Sequence, residues 1–401
     1  MTTSVWLAAF RVRSFRFQWP ADLLTSWAFE METLILGWYV MVQTGSVLLL
    51  TIFGSLQFFG ALVAPMFGVL GDRLGSRTIL CAMRAICAVL GVVLMVLALT
   101  DQLTPAWVIV LSALGGILRP NDQLLRSSLI GETIPPEHLM GALALSRASM
   151  DSARVAGALA GAGLLTFFGI GPAYVFITVC YLASLALTFR IAHAHPVASS
   201  QPSRYRDLMD GLVHVATTPT LLAVALLAFL VNLTAYPFTS SGFLPYVAQR
   251  IYLVDATGLG WLVASFSIGA LMGSIAMTVT GGPRRPARAL IIYAAMWYVL
   301  LLAFGYVRSL GPGIVLLLLA GLVQSVAMIS LMGALLSASG DRFRARVVGV
   351  RTLAVYGLPV GLVAVGFLIE HFGFPLTATL YCALGLVFTV LIAVRWRASI
   401  W

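Results

Sequence analysis

About twelve apolar runs, each long enough to cross a bilayer as a helix, follow one another along this chain. No other feature restricts the fold as much. In lipid every backbone N–H and C=O must be paired within its own segment or around a closed barrel, and long uninterrupted apolar runs select the helix. The runs fall at about 21–43, 46–70, 78–99, 105–128, 139–166, 172–191, 219–241, 257–279, 287–306, 312–337, 346–368 and 375–395. Most links are short and polar or rich in Gly and Pro, as at Asp101–Pro105 and Gly169–Pro172. One connection differs. Residues 192–218 are long and polar, with Pro196, Ser199 and Pro202, then Tyr205, Leu208, Leu212 and Val215 at helical spacing. This pattern reads as a linker followed by an amphipathic helix. The expected fold is therefore an all-α integral membrane protein of about twelve transmembrane helices in two six-helix halves. The expected parts are an amphipathic N-terminal segment 1–20 on the membrane surface, a first half 21–191, the linker 192–218, a second half 219–397 and a short tail 398–401.

Composition agrees and excludes several classes. Of 401 residues, 60% are hydrophobic and only 9% charged, which rules out a soluble globular domain. The 24 Lys+Arg residues are all arginine, so no lysine is available for Schiff-base chemistry. A net charge of +10 is compatible with nucleic-acid binding in principle, but its distribution points elsewhere. Arginines cluster in alternate loops, at Arg11–Arg16, Arg73 and Arg77, Arg190–Arg206, Arg284–Arg288, Arg342–Arg346 and Arg395–Arg397. That is the positive-inside pattern of a multi-pass protein in the cell's inner membrane with both termini in the cytoplasm. The bilayer is then the partner and nucleic acid is not. Cys81, Cys87, Cys180 and Cys382 all lie in apolar runs, so neither a disulfide nor a metal framework is expected. The N-terminal apolar patch Val5–Phe10 precedes its arginines, unlike a secretory signal. With no nucleotide-binding loop and histidines mainly in or beside loops, no cofactor and no enzyme activity are expected.

Charges at membrane depth are where chemistry is expected, because each is costly unless paired or solvated. Arg119, Asp122 and Arg126 share one face of the fourth run, and Arg147, Asp151 and Arg154 one face of the fifth. The trios mirror each other about Pro135-Pro136, with 119 opposite 154, 122 opposite 151 and 126 opposite 147, which sets Asp122 and Asp151 level in an antiparallel hairpin. Glu30 and Glu32 of the first run complete a set of four acids and four arginines that can neutralise itself. Two residues apart on a helix, these glutamates cannot meet the same partner. One reading is a fixed ion-pair network that staples helices together. The other makes Glu30 or Glu32 a proton-coupling acid, with Asp122 or Asp151 next in order, because burial and a nearby arginine pull a carboxyl in opposite directions. Arg84 has no acid on its own face and is expected to reach back to the cytoplasm.

Between the second and third runs stands Gly68-Val69-Leu70-Gly71-Asp72-Arg73-Leu74-Gly75-Ser76-Arg77, expected to form a tight turn at the membrane surface. Gly68, Leu70, Asp72, Arg73, Gly75 and Arg77 resemble the signature loop of the major facilitator superfamily of secondary transporters, with Ser76 where a basic residue is usual. In the second half Gly281-Gly282-Pro283-Arg284-Arg285 occupies the same place without the aspartate. The resemblance implies two six-helix halves rocking about a central site. It also implies a cytoplasmic gating role for Gly68, Gly71, Asp72, Arg73, Gly75 and Arg77, with Asp72 pairing with Arg351 or the start of the eleventh span. The stretch Trp27–Trp38, with Thr44-Gly45-Ser46, and the stretch Pro135–Met140, with Ala153–Gly157, are similar to the enterobactin-exporter-like and macrolide-exporter-like branch, although Ala158 replaces a usual proline.

Candidate cavity residues are Trp38, Phe58, Asn232, Tyr236, Trp261, Gln324 and Tyr356. The expected function is a monomeric, proton-coupled exporter of a small amphiphilic compound such as a siderophore or drug. An importer or facilitator of organic anions, or a lipid flippase, is the alternative.

Overall fold

The computed structural model describes residues 9–191, 204–240, 242–340 and 353–400, together with 343, 347, 349 and 351. Among these the regular structure is helical. The main helices are α1 (Arg13–Thr44), α2 (Val47–Leu56), α3 (Ala64–Leu74), α4 (Ser76–Leu99), α5 (Pro105–Thr133), α6 (Pro136–Phe168) and α7 (Ile170–Thr188). They continue with α8 (Arg204–Thr217), α9 (Pro219–Thr234), α10 (Ala256–Thr280), α11 (Pro286–Tyr306), α12 (Leu310–Ala338), α13 (Gly357–Phe372) and α14 (Phe374–Arg395). Proline opens α5, α6, α9 and α11, where its missing N–H costs nothing. Gly45, at φ 64°, closes α1 in the left-handed conformation and donates its N–H to Met41 O.

Six described helices, α4, α7, α10, α11, α12 and α14, are apolar and long enough to cross a membrane, or up to seven if the bent pair 209–217 and 219–234 counts as one. Helices α1, α5 and α6 are as long, but the charges along them interrupt their apolar runs. With α2 and α3 joined through the 3-10 turn Phe59–Val63, and with α9 and α13, the total is consistent with about twelve spans.

Three local differences from the sequence expectation matter. Helix α1 begins at Arg13 and runs unbroken past Pro20, inside the segment expected to lie on the surface. At 32 residues it is about 48 Å long, so Asp22 sits within the helix rather than at its mouth. Secondly, the motif 68–77 is not a loop. Helix α3 continues to Leu74, and the reversal falls on Gly75 alone, at φ 83°, with Ser76 already opening α4. A positive φ is easy only for glycine, which is why one residue suffices. Thirdly, the polar connection holds a helix at Arg204–Thr217, as its spacing indicates, while 192–203 lie outside the described residues.

The chain forms two compact units, Met1–Gly45 with Leu56–Ser200 and Asp255–Gly260, and Ser46–Ser55 with Gln201–Val254 and Trp261–Trp401. In the first, α1 packs on α6 and α7, and α4 on α7 and α5. Small residues set these approaches. A Cβ at Gly157 of α6 would stand 2.7 Å from Glu30 Cβ, and one at Gly161 3.0 Å from Met31 Cα, so α6 lies directly against the acidic stretch of α1. In the second unit α11 packs on α12 and α14, and α9 on α13 and α14. Its apolar core includes Leu221, Leu227, Leu290 and Leu331. Helix α2 up to Ser55 belongs here too: a Cβ at Gly54 would stand 2.7 Å from Gly242 Cα, and Ser55 Oγ donates to Pro359 O at 3.0 Å.

Candidate functional site

The charged side chains of the first unit divide into three groups. The innermost is a four-residue cluster. Arg84 of α4 pairs with Asp22 of α1 and faces Asp122 of α5 at 3.6 Å, while Arg126 of α5 pairs with Asp122 and faces Asp22 at 3.6 Å. Side-chain exposure is between 1% and 8%, so these are interior charges, and two acids against two guanidiniums leave the cluster neutral. Neighbours complete its hydrogen bonding. Arg84 donates to Thr188 Oγ1 of α7, and Arg126 Nη1 to Ser26 Oγ at 2.7 Å and Asp22 O at 3.0 Å. Gln18 of α1 donates to the carbonyl of Arg126 at 3.1 Å.

This cluster corrects the expectation for Arg84, which does not reach back to the membrane surface but is 1% exposed and paired. Its partner, Asp22, was not among the sequence candidates. Arg84 and Asp22 lie at similar distances, about 12 and 13 Å, along α4 and α1 from the ends at Ser76 and Arg13.

The second group is half-exposed. Arg154 faces Glu30 at 3.7 Å and Asp151 at 3.9 Å, and Arg147 faces Asp151 at 3.4 Å. Asp122 and Asp151 therefore share no partner: the first is in the interior cluster, the second on an accessible face. Mirror symmetry about a turn fixes depth along the hairpin but not which way each helix face turns.

The third group centres on Glu32, two residues from Glu30 and on a different face. Its carboxylate accepts from Tyr181 Oη of α7. Tyr181 reaches it because α4 carries Gly91 opposite, where a Cβ would meet the ring at 3.1 Å. Arg119 of α5 stands beside this pair with its guanidinium 4.6 Å over the Phe29 ring, donating to Thr33 Oγ1 and Phe29 O. All its hydrogen-bond partners are neutral.

Two cavities open on these groups. Phe29, Glu32, Gln57, Ser112, Arg119 and Tyr181 contribute to the first. Phe29, Glu30, Arg119, Asp122, Arg126, Met150 and Arg154 contribute to the second. Phe29 and Arg119 belong to both and stand as the partition between them.

The amino-acid pattern of residues 19–357 matches the family model of the Major Facilitator Superfamily. The chain belongs to the Major Facilitator Superfamily. It is thus a multi-pass membrane transport protein and not an enzyme. A comparison with curated protein sequences returns no match. Among solved structures the chain is similar to a bacterial homolog of the human lysosomal transporter Spinster, in an inward-facing, unoccupied conformation, at 16% identity and TM-score 0.71, over 96% of both chains. It is also similar to the nucleoside transporter NupG, at 14% identity and TM-score 0.71, over 96% of this chain and 98% of that one. The human organic anion transporter MFSD10 (TETRAN) matches at 16% identity and TM-score 0.64, over 95% and 99%. At these identities the likeness is one of fold.

Within the superfamily frame, the gating motif is partly visible. Ser76 Oγ contacts Glu132 Oε1 and lies 2.9 Å from Ser128 Oγ, both on α5, and Arg77 Nη2 donates to Phe189 O at 2.6 Å. The side chains of Asp72 and Arg73, and any contact at Gly68, lie outside the described residues; Gly71 is buried, 3.0 Å in Cβ terms from Leu125. Of the cavity candidates, Trp38 and Phe58 are half-buried and line neither cavity of the first unit. In the second unit Gln324 donates to Tyr236 Oη, Tyr236 packs edge-on to Trp297 at 5.0 Å, and Asn232 turns its amide to Ala228 O of its own helix at 2.8 Å. Trp261 is 49% exposed and Tyr356 half-buried.

Proposed function

We propose that this protein is a proton-coupled exporter of a small amphiphilic compound, exchanging it for protons by alternating access. It acts as a monomer in the cell's inner membrane with both termini in the cytoplasm. Export rests on the branch resemblance in α1 and at the α5–α6 connection, and orientation on the arginine distribution. The solved structures of similar fold include a transporter of organic anions and one of nucleosides.

The observation that carries the coupling is the setting of Glu32. The interior cluster of Asp22, Arg84, Asp122 and Arg126 balances its own charge and holds α1, α4 and α5 in register. Glu32 stands apart from it. Its carboxylate has a tyrosine hydroxyl donor and a cavity in front of it, and among the described residues no guanidinium is ion-paired with it. Arg119 is near enough to balance the ionised form while hydrogen-bonded elsewhere. In this arrangement Glu32 accepts a proton when the cavity opens on one side and releases it when Arg119 and water re-form their contacts on the other. The first cavity has room for about one water beside Glu32, and Phe29 and Met150 of the second supply apolar wall for the compound.

The driving force is sufficient. One charge crossing about 100 mV yields about 2.3 kcal/mol, which sustains a roughly forty- to fiftyfold gradient. The reading is tested by proton movement in everted vesicles under an imposed pH gradient, with a panel of siderophores, macrolides, dyes and organic anions. Proton flux driven by at least one compound supports an antiporter. Folded protein that moves compounds without moving protons is a facilitator instead.

A further inference from the structure

We propose that the transported compound carries an anionic group, a carboxylate or a catecholate-type oxygen pair, and that Arg119, Arg126 and Arg154 hold it in the second cavity. This deepens the transport reading and rests on it. Three guanidinium groups, those of Arg119, Arg126 and Arg154, line that cavity together with two carboxylates, Glu30 and Asp122, which lie beside Arg154 and Arg126. Each guanidinium also has unused capacity. Arg126 is ion-paired with Asp122, lies 3.6 Å from Asp22 and donates Nη1 to Ser26 and Asp22 O, while its Nε and Nη2 are buried without a hydrogen-bond partner among the described residues. Arg119 donates only to a hydroxyl and a carbonyl. Arg154 faces Glu30 and Asp151 at 3.7 and 3.9 Å, beyond hydrogen-bond distance.

The chemistry of the site selects among ligands. A cationic compound meets three like charges. A neutral one leaves the buried Nη2 of Arg126 unmet, which is costly for a desolvated charged donor. A planar anion satisfies it and takes a second guanidinium in the same geometry, the arrangement for which arginine is suited. Phe29 and Met150 offer apolar contact to the remainder of the molecule. Such an anion, leaving a cell whose interior is negative, moves with the potential. At about 100 mV this multiplies the sustainable gradient by a further roughly forty- to fiftyfold over that of a neutral analogue.

The test uses the full-length protein in nanodiscs and three probes alike except in charge: 1-naphthylacetate, its methyl ester and 1-naphthylmethylammonium. Binding is followed by titration calorimetry. The carboxylate is expected to bind at least tenfold more tightly than the ester, and the ammonium not at all. Arg119→Gln and Arg154→Gln are each expected to reduce that preference several-fold, while Arg154→Lys, which keeps the charge, retains most of it. Equal binding of acid and ester, preference for the ammonium, or no saturable binding of the carboxylate overturns the assignment. Vesicle proton flux separates the two readings: if the ester drives protons as well as the acid does, the anion site fails and proton coupling stands.

Discussion

Tyr181 of α7 donates its hydroxyl to the Glu32 carboxylate of α1, and this contact joins the sole polar tip of a buried ring to the acid at the wall of the first cavity. The donor favours the ionised carboxylate over the protonated one. Replacing it with hydrogen changes little else, since the ring and its edge contact to Phe29 at 5.7 Å persist. Tyr181→Phe is therefore expected to leave the protein folded and to slow gradient-driven transport several-fold, which vesicle uptake measures directly.

The same contact depends on a glycine. Gly91→Leu places a branched side chain where Tyr181 Cδ2 is already 3.1 Å from an added Cβ, and so displaces the ring. The expected result is a loss of rate at least as large as that of Tyr181→Phe. Gly163→Ala, where nothing lies within 4 Å of the added Cβ, is expected to transport normally. Matching uptake assays of the two variants decide the point.

The interior cluster is expected to act on stability. Arg84→Ala leaves Asp22 and Asp122 with one guanidinium in a closed interior, a loss of about 3–5 kcal/mol. Thermal unfolding in detergent is expected to fall accordingly. The pair Asp22→Asn with Arg84→Gln is expected to cost less than the sum of the single changes, because neither is left as an unpaired charge. An Asp22→Asn protein of normal stability without proton coupling would transfer the coupling role to this cluster.

At the second unit, Glu370 lies beyond the expected span 346–368 and accepts from Ser46 Oγ at 2.7 Å and Leu48 N at 3.0 Å. The Ser46 hydroxyl, then the Leu48 backbone N–H, hold its carboxyl below the usual glutamate range, with adjacent His371 a smaller influence. A group lowered on folding contributes stability above its unfolded pKa and loses it as pH falls through the folded value. The wild type is therefore expected to exceed Glu370→Gln in thermal stability at neutral pH, with the difference closing below the glutamate range. Its exposure makes the effect small.

The apolar runs alone carried the fold, because a bilayer leaves the backbone few choices. Within the site, spacing separated Glu30 from Glu32, and the structure gives them different partners, Arg154 and Tyr181. Azimuth was not legible. The mirrored trios gave depth, but only the approach of α6 at Gly157 and Gly161 shows that Arg154 meets Glu30 while Arg126 turns inward. Asp22 escaped notice because Pro20 and the nearby arginines resemble a helix start, whereas proline is tolerated inside a membrane helix when neighbours satisfy the backbone. Tyr181 gave no signal at all: an aromatic in an apolar run usually packs, and its function comes from a glycine on another helix.

The most direct test of Glu32 as the coupling acid separates exchange from uphill transport. Purified wild type and Glu32→Gln are reconstituted into liposomes with an exported compound identified from the vesicle panel. Two rates are taken: counterflow without a gradient, and accumulation driven by a pH gradient. Glu32→Gln is predicted to keep counterflow within about twofold and to lose gradient-driven accumulation, with Glu30→Gln affected less. Accumulation that survives intact in Glu32→Gln contradicts the account.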